Sequence, residues 1–402
     1  MFYKTRKSPS AITLSRSTSF YLAGSRSAGR CDFQWLGKRF ILSIKKRLDV
    51  ELRKLLDKMD KAYSLSRLSP LLLKSIRDFV LREGKRIRPL LFITGYSGFT
   101  NKPAPGLYAS ALSLELLHDF MLIHDDIIDK SDTRRGEPSM HALLNNYLKG
   151  TPNLKFSGED LAIVLGDVIY AMAINAFLAI KENRERKERA LRKFVEAAMY
   201  TGSGEFIELI YGIKNLDKIK KEDIYKVYDF KTAYYSFASP LAIGAILAGA
   251  SARQVDNIFK YGVCLGRAFQ IKDDIICMFD TEEKTGKSSL TDLQEGKKTL
   301  LVWYAYNHSG RQDKTTIKDI FRKEKVDKKD FLKMRGILIA SGALEYSKKE
   351  ISSLMHKAQG YNENSGIKAK YKKLLRDYCT EILKLNVILI YVTMHYLFFA
   401  VK

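Results

Sequence analysis

Proline is scarce in this chain, 8 in 402 residues. Equally scarce is the alternation of apolar and polar residues between turn pairs that marks β-strands. Few breakers, together with long segments of helical period rich in Leu, Ala, Lys and Glu, argue against a sandwich or barrel and predict an all-α fold. Cysteine is sparse too: Cys31, Cys264, Cys277 and Cys379 are scattered without a CxxC pair. That spacing argues against a disulfide framework or zinc site and points to a reducing, cytoplasmic setting. Acids are nearly missing from the amino-terminal stretch. Residues 1–47 carry eleven Lys or Arg against Asp32 alone, a net +10 that accounts for a large share of the chain's +24. Much of the remainder lies in mixed-sign runs, Lys181–Lys193 and Arg311–Asp330, which read as solvated helix faces.

What is present is enough to bury a sizeable core, as one large domain or two, with 46% of residues hydrophobic. Residues 1–40 are rich in Ser and Arg and lack a long apolar run. That composition fits an organellar transit peptide, and equally a disordered tail or an upstream start codon. Ile41 to Leu56 reads as a basic amphipathic helix with Leu42, Leu48, Leu52, Leu55 and Leu56 on its apolar side; we expect it on the core in preference to a membrane surface. The main helical domain then spans residues 41–385. At the other end, residues 386–402 include the apolar run Val387–Val401, interrupted only by His395. It falls short of the roughly 20 residues a bilayer span needs, so a packed terminal helix or a peripheral membrane anchor is expected.

The chain is organised around Leu116 to Arg135, LLHDFMLIHDDIIDKSDTRR. Leu112, Leu116, Phe120, Ile123 and Ile127 recur at helical spacing and mark a buried helix. Asp125 and Asp129, four apart, share one face of it, with Asp126 beside them. Carboxylates so placed suit Mg²⁺, a hard cation that binds through one or two carboxylates, waters and substrate phosphates. Basic residues follow: Arg134 and Arg135 in the next loop, and Lys85, Arg86 and Arg88 upstream on a predicted connector between Gly84 and Pro89. Lys231-Thr232 starts a small-residue helix in which Gly244 and Ala248 permit close packing. A second acidic set, FQIKDD with Asp273 and Asp274, lies on a helix beginning near Val255, where Gly262 and Gly266 predict tight packing. A Gly-interrupted loop with Lys287, Lys297 and Lys298 comes after it. Two carboxylate clusters on two helices, each followed by a basic loop, describe a cavity with metals at its mouth, built to bind and ionise a diphosphate.

These motifs resemble the trans-isoprenyl diphosphate synthase (polyprenyl synthetase) family: GKRIRP, LLHDFMLIHDDIIDKSDTRRGEPSMH, KTA, FQIKDD and EEKTGKSSLTDLQEGKKTL, in that order, over roughly residues 45–345. The resemblance implies an antiparallel helix bundle of the isoprenoid synthase type around a central apolar cavity, usually a homodimer. It implies that Asp125, Asp126 and Asp129 form a first aspartate motif and Asp273 with Asp274 a second. Together, with Asp125, Asp129 and Asp273 as ligands, they would hold up to three Mg²⁺ against an allylic diphosphate (dimethylallyl, geranyl or farnesyl). Arg134, Lys231 and Lys287 would grip that diphosphate, with Thr232 and Gln270 near the ionising carbon. Lys85, Arg88, His118 and Arg135 would bind isopentenyl diphosphate, and Lys297 matches a lysine on the closing loop.

Where the family's second motif often has a third acid, this chain has Cys277. Soft sulfur is a poor ligand for Mg²⁺, so a weaker second site in an active enzyme is expected. In the family an aromatic at the position of Phe120 goes with short products. Phe120 and Met121, one turn before Asp125, are therefore expected to floor the cavity and give mainly geranylgeranyl diphosphate, with farnesyl diphosphate as the alternative. Phe120→Ala is expected to lengthen the product. A terpene cyclase would share the first motif yet has no use for Lys85, Arg88 and Arg135, and a non-catalytic subunit would be expected to lose acids that are all present. A nucleic-acid partner would explain the charge and leave the aspartates without a purpose.

Overall fold

A computed structural model describes residues 28–134, 136–279 and 291–383. Among them the chain is helical almost throughout. The only strands are the pairs Thr133–Arg134 and Glu137–Pro138, joined antiparallel in the loop after the first acidic helix. The expected domain start at residue 41 falls inside a helix, Ala28–Tyr63, which buries Ile44, Leu48, Leu52, Leu55, Leu56 and Met59 at helical spacing. That stripe is what attaches the helix to the core. Leu42, expected with them, is 49% exposed on the other side.

The buried residues form two apolar clusters. One surrounds the first acidic helix, Ser113–Ile128, which lies against Gly158–Phe177; the other surrounds the second, Ala252–Phe279, packed on Ala343–Glu363. The seam between them is a continuous run from Lys221 to Leu247. It is α-helical to Val227, π-helical over Tyr228–Ala238 and α-helical again over Ser239–Leu247. The wider π turns rotate the side chains that follow relative to an α register, which is how such segments come to serve functional sites.

Glycines let these helices touch backbone to backbone. A Cβ on Gly244 would sit 2.2 Å from the Phe92 carbonyl oxygen, and one on Gly262 or Gly266 would sit 2.4 Å from the Cα of Ala238 or Ala233. The close packing expected at all three positions is present. Between residues 158 and 212 the chain forms two helices, Gly158–Phe177 and Arg184–Gly212. Each is buried on one side only, and much of the charged run before the second belongs to its first turns, capped by Asn183.

Candidate active site

The first acidic helix ends at Ile128, with Asp129 as its carboxyl-terminal cap. Three carboxylates therefore crowd the end of a helix whose own carbonyls already present negative potential. Such an arrangement demands cations. Asp126 is fully buried and takes its cation from Arg134: the guanidinium donates through Nε at 2.7 Å and through Nη2 to the same oxygen. Arg134 Nη2 also reaches Asp125 at 3.2 Å. Desolvation of that guanidinium is outweighed by Asp126 and Asp125, so its pKa is raised. The short β-pair holds Arg134 facing back onto the helix.

Asp125 and Asp129 face the other way, into a cavity of about 640 Å³. Burial, reinforced by the neighbouring Asp125, pushes the Asp129 carboxyl up to about 7. An oxygen of Glu205 lies within 4.8 Å of oxygens of both aspartates. Glu205 and Glu208 escaped the sequence reading, although their i, i+3 spacing in GEFIEL places them on one helix face. They are brought here because a Cβ on Gly204 would be 2.6 Å from the Lys231 nitrogen, so a glycine there admits the π segment. The Lys231 ammonium sits 2.6 Å from Glu205, 2.5 Å from Glu208 and 3.6 Å from Asp125. Burial, which would lower its pKa, is outweighed by these acids, and Lys231 stays charged.

On the second acidic helix the adjacent aspartates part company. Asp273 is exposed on the cavity wall. Asp274 is buried and accepts hydrogen bonds from the Tyr228 hydroxyl and from Gln270 Nε2 at 3.0 Å. The Tyr228 oxygen in turn accepts from the Leu300 amide at 2.9 Å, and Gln270 accepts from Thr232 Oγ1 at 2.7 Å. A polar relay thus ties the Lys231-Thr232 turn to the second motif and to the helix after the basic loop. Cys277, one turn beyond Asp273, is on the cavity wall and half-buried.

The basic residues divide as well. Lys85, His118 and Lys297 line the cavity, with Lys297 2.5 Å from Glu295. Arg88 lies in the first turn of Ile87–Ser97, where a connector was expected, and donates to Tyr235 Oη at 2.8 Å and Ser236 Oγ at 2.7 Å. Tyr235 also stands 3.4 Å from His118 Nδ1. Arg86 is buried and binds Glu115, and it does not line the cavity. Arg135 and Lys287 lie outside the described residues, as do the tail before residue 28 and the segment 386–402.

Phe120, expected on the cavity floor, packs on another side of its helix. His118, Leu122, Asp125 and Asp129 form the cavity-facing stripe, and at 100° per residue Phe120 falls nearly opposite Leu122. Its ring stacks on Tyr170 at 5.0 Å and meets His124 edge-on at 4.6 Å. Neither Phe120 nor Met121 lines the cavity; Leu122 does.

Hard carboxylate oxygens converging from three helices, with a guanidinium and an ammonium beside them, fit Mg²⁺ together with an anionic ligand. Comparison with known proteins points the same way. The polyprenyl synthetase family profile matches residues 69–337. A short chain isoprenyl diphosphate synthase of Methanocaldococcus jannaschii is 30% identical over 77% of this chain and 85% of its own. A geranylfarnesyl diphosphate synthase of Aeropyrum pernix is 31% identical, over 75% and 91%. The crystal structure of a geranylgeranyl pyrophosphate synthase of Corynebacterium glutamicum, complexed with isoprenyl diphosphate and magnesium, superposes with a TM-score of 0.76 at 27% identity, covering 85% of this chain and 98% of that one.

Proposed function

Since the chain belongs to the polyprenyl synthetase family and is a short-chain prenyltransferase, we propose that it condenses isopentenyl diphosphate with allylic diphosphates, geranylgeranyl diphosphate being its main product. One observation carries the reading: oxygens of Asp125, Asp129 and Glu205 lie within 4.8 Å of one another, and the two aspartates line a cavity together with Asp273, Lys231 and Arg134. Relatives named geranylgeranyl diphosphate synthase, from Saccharolobus solfataricus and Methanosarcina mazei, support the C20 product over farnesyl diphosphate. Incubation with Mg²⁺, isopentenyl diphosphate and dimethylallyl, geranyl or farnesyl diphosphate in turn tests it. No elongation from any primer would sink it.

Magnesium, up to three ions held by Asp125, Asp129 and Asp273, would neutralise the allylic diphosphate as charge builds on its oxygens. The chain's own groups do the rest. Arg134, Lys231 and Lys297 line the cavity where that anion would sit and would stabilise its departure, a role the family resemblance extends to Lys287. Lys85, Arg88, His118 and Arg135 hold the second diphosphate so that its double bond stands at attack distance. The relay through Asp274, Gln270 and Thr232 orients polar oxygens toward the forming cation.

Product length is proposed to follow Leu122. Leu122→Ala should shift products toward longer chains more than Phe120→Ala does, read by chromatography after dephosphorylation. The reverse ordering would restore Phe120 as the floor.

We also propose a homodimer. Val195, Met199, Phe206 and Ile210 form an exposed stripe along Arg184–Gly212, continued by Ile213 just beyond its end, Met199 at 63% and Phe206 at 67% exposure. Ile163, Val164 and Leu178 lie exposed on or just beyond the neighbouring helix. Apolar stripes on consecutive helices mark an interface. Phe206→Glu should convert a dimer to a monomer by light scattering, and an unchanged mass would refute this face. A cytoplasmic location with peripheral membrane contact through residues 386–402 completes the proposal; cosedimentation with membranes before and after deleting that segment tests it.

A further inference from the structure

We propose that Glu205 is a third carboxylate ligand of this site, so that one divalent cation is held between Asp125, Asp129 and Glu205 before any diphosphate arrives. This rests on the prenyltransferase reading of the same cavity and adds to it an order of binding. Glu205 comes from Arg184–Gly212, a helix that carries neither aspartate motif, yet one of its oxygens lies within 4.8 Å of oxygens of both aspartates. An octahedral Mg²⁺ with oxygens at about 2.1 Å spans about 4.2 Å between opposite ligands. Adjacent ligands of such an ion stand about 3.0 Å apart, and of three ligands at most one pair can be opposite, so the three groups, now within 4.8 Å of one another, close on an ion with a shift of about 1 Å each.

Charge decides the consequence. A site of one or two carboxylates leaves Mg²⁺ to complete its neutralisation with substrate phosphates. Three carboxylates carry more than enough charge for a dication without phosphate. Their convergence is repulsive until a cation enters, and the structure already places one among them: the Lys231 ammonium, 2.6 Å from Glu205 and 2.5 Å from Glu208. When a divalent ion takes Glu205, Lys231 keeps Glu208 as its partner. Repulsion from the ion then turns its remaining donors toward the incoming diphosphate. The competing explanation, that Glu205 serves only to neutralise Lys231, duplicates what Glu208 does and leaves the approach to Asp125 and Asp129 without a purpose.

Titration of the substrate-free protein with Mn²⁺, following the free-ion signal by electron paramagnetic resonance, tests the assignment. The parent should bind one Mn²⁺ at this site with an affinity at least about tenfold above that of Glu205→Gln. Glu208→Gln, which removes the same charge beside Lys231 but not from the three-oxygen cluster, should stay within about twofold of the parent. No binding by the parent without diphosphate, or equal affinity in Glu205→Gln, overturns the proposal. Circular dichroism melting confirms that each variant folds. If Glu205→Gln does not, Glu205→Asp, which keeps the charge and withdraws the oxygen by one methylene, should bind more weakly than the parent, and equal binding again overturns it. Failure here leaves chain elongation intact, whereas failure of the functional reading abolishes elongation whatever the metal isotherm shows.

Discussion

Asp125→Asn should lower kcat/KM for condensation by about a thousandfold, roughly 4 kcal/mol of transition-state stabilisation, while leaving the melting temperature unchanged or slightly higher. The asparagine has nearly the same shape and keeps an oxygen facing Arg134, so the fold loses little. What it loses is a charge where oxygens of Asp125, Asp129 and Glu205 gather within 4.8 Å of one another. Removing that charge also relieves the repulsion that, after burial, helps hold the Asp129 carboxyl high. This is why stability should not fall. Asp126→Asn makes the contrast. Asp126 is buried against Arg134 and does not face the cavity, so its loss should act through a misplaced guanidinium, costing roughly 10- to 100-fold in rate together with a lower melting temperature. Steady-state kinetics with thermal melts distinguishes the two. Equal kinetic losses without a stability difference would mean that both acids serve the metal alike.

The aspartates show what was legible in the sequence and what was not. A helix period places Asp125, Asp129, His118 and Leu122 on one face, and that face does line the cavity. The all-α fold, the tight glycine contacts and the presence of Lys231, Gln270 and Asp273 at one cavity follow from patterns local to the chain. What stayed hidden has a common cause, since a sequence shows where a residue sits on its own helix and not what lies opposite. Phe120 is two residues from both His118 and Leu122, and two residues are 200° of rotation, which turns its ring onto Tyr170. Glu205 and Glu208 gained meaning only when Gly204 let the π segment approach them, and an i to i+5 register has no sequence signature that apolar spacing reveals. Asp274 looked equivalent to Asp273 until Tyr228, 46 residues upstream, was found bonded to it.

Arg86→Met should destabilise the protein by roughly 3–5 kcal/mol and lower its melting temperature by roughly 5 to 15 °C, while leaving kcat and KM at low temperature near the parent's. Within GKRIRP three basic side chains take three directions: Lys85 to the cavity, Arg88 to Tyr235 and Ser236, and Arg86 into the core. Arg86 Nη1 donates to the buried Glu115 at 2.8 Å and Nε to Asp49 at 3.1 Å. Its Nη2 caps the carbonyls of Val80 and Arg82, at 3.4 and 3.0 Å, where the preceding helix runs out of partners. Burial would lower its pKa, but Glu115 and then Asp119 more than compensate, so the guanidinium remains charged. The backbone confirms how firmly the side chain is held. Arg86 adopts φ 50°, a left-handed conformation that a non-glycine residue keeps only when its surroundings impose it. Methionine fills the space yet strands the Glu115 carboxylate beside Asp119. The double variant Arg86→Met, Glu115→Gln removes the stranded charge and should recover about half of the lost stability, a coupling expected only of groups in contact. A raised KM for isopentenyl diphosphate at unchanged melting temperature would instead put Arg86 in the substrate site, and would return all three basic residues of the motif to one role.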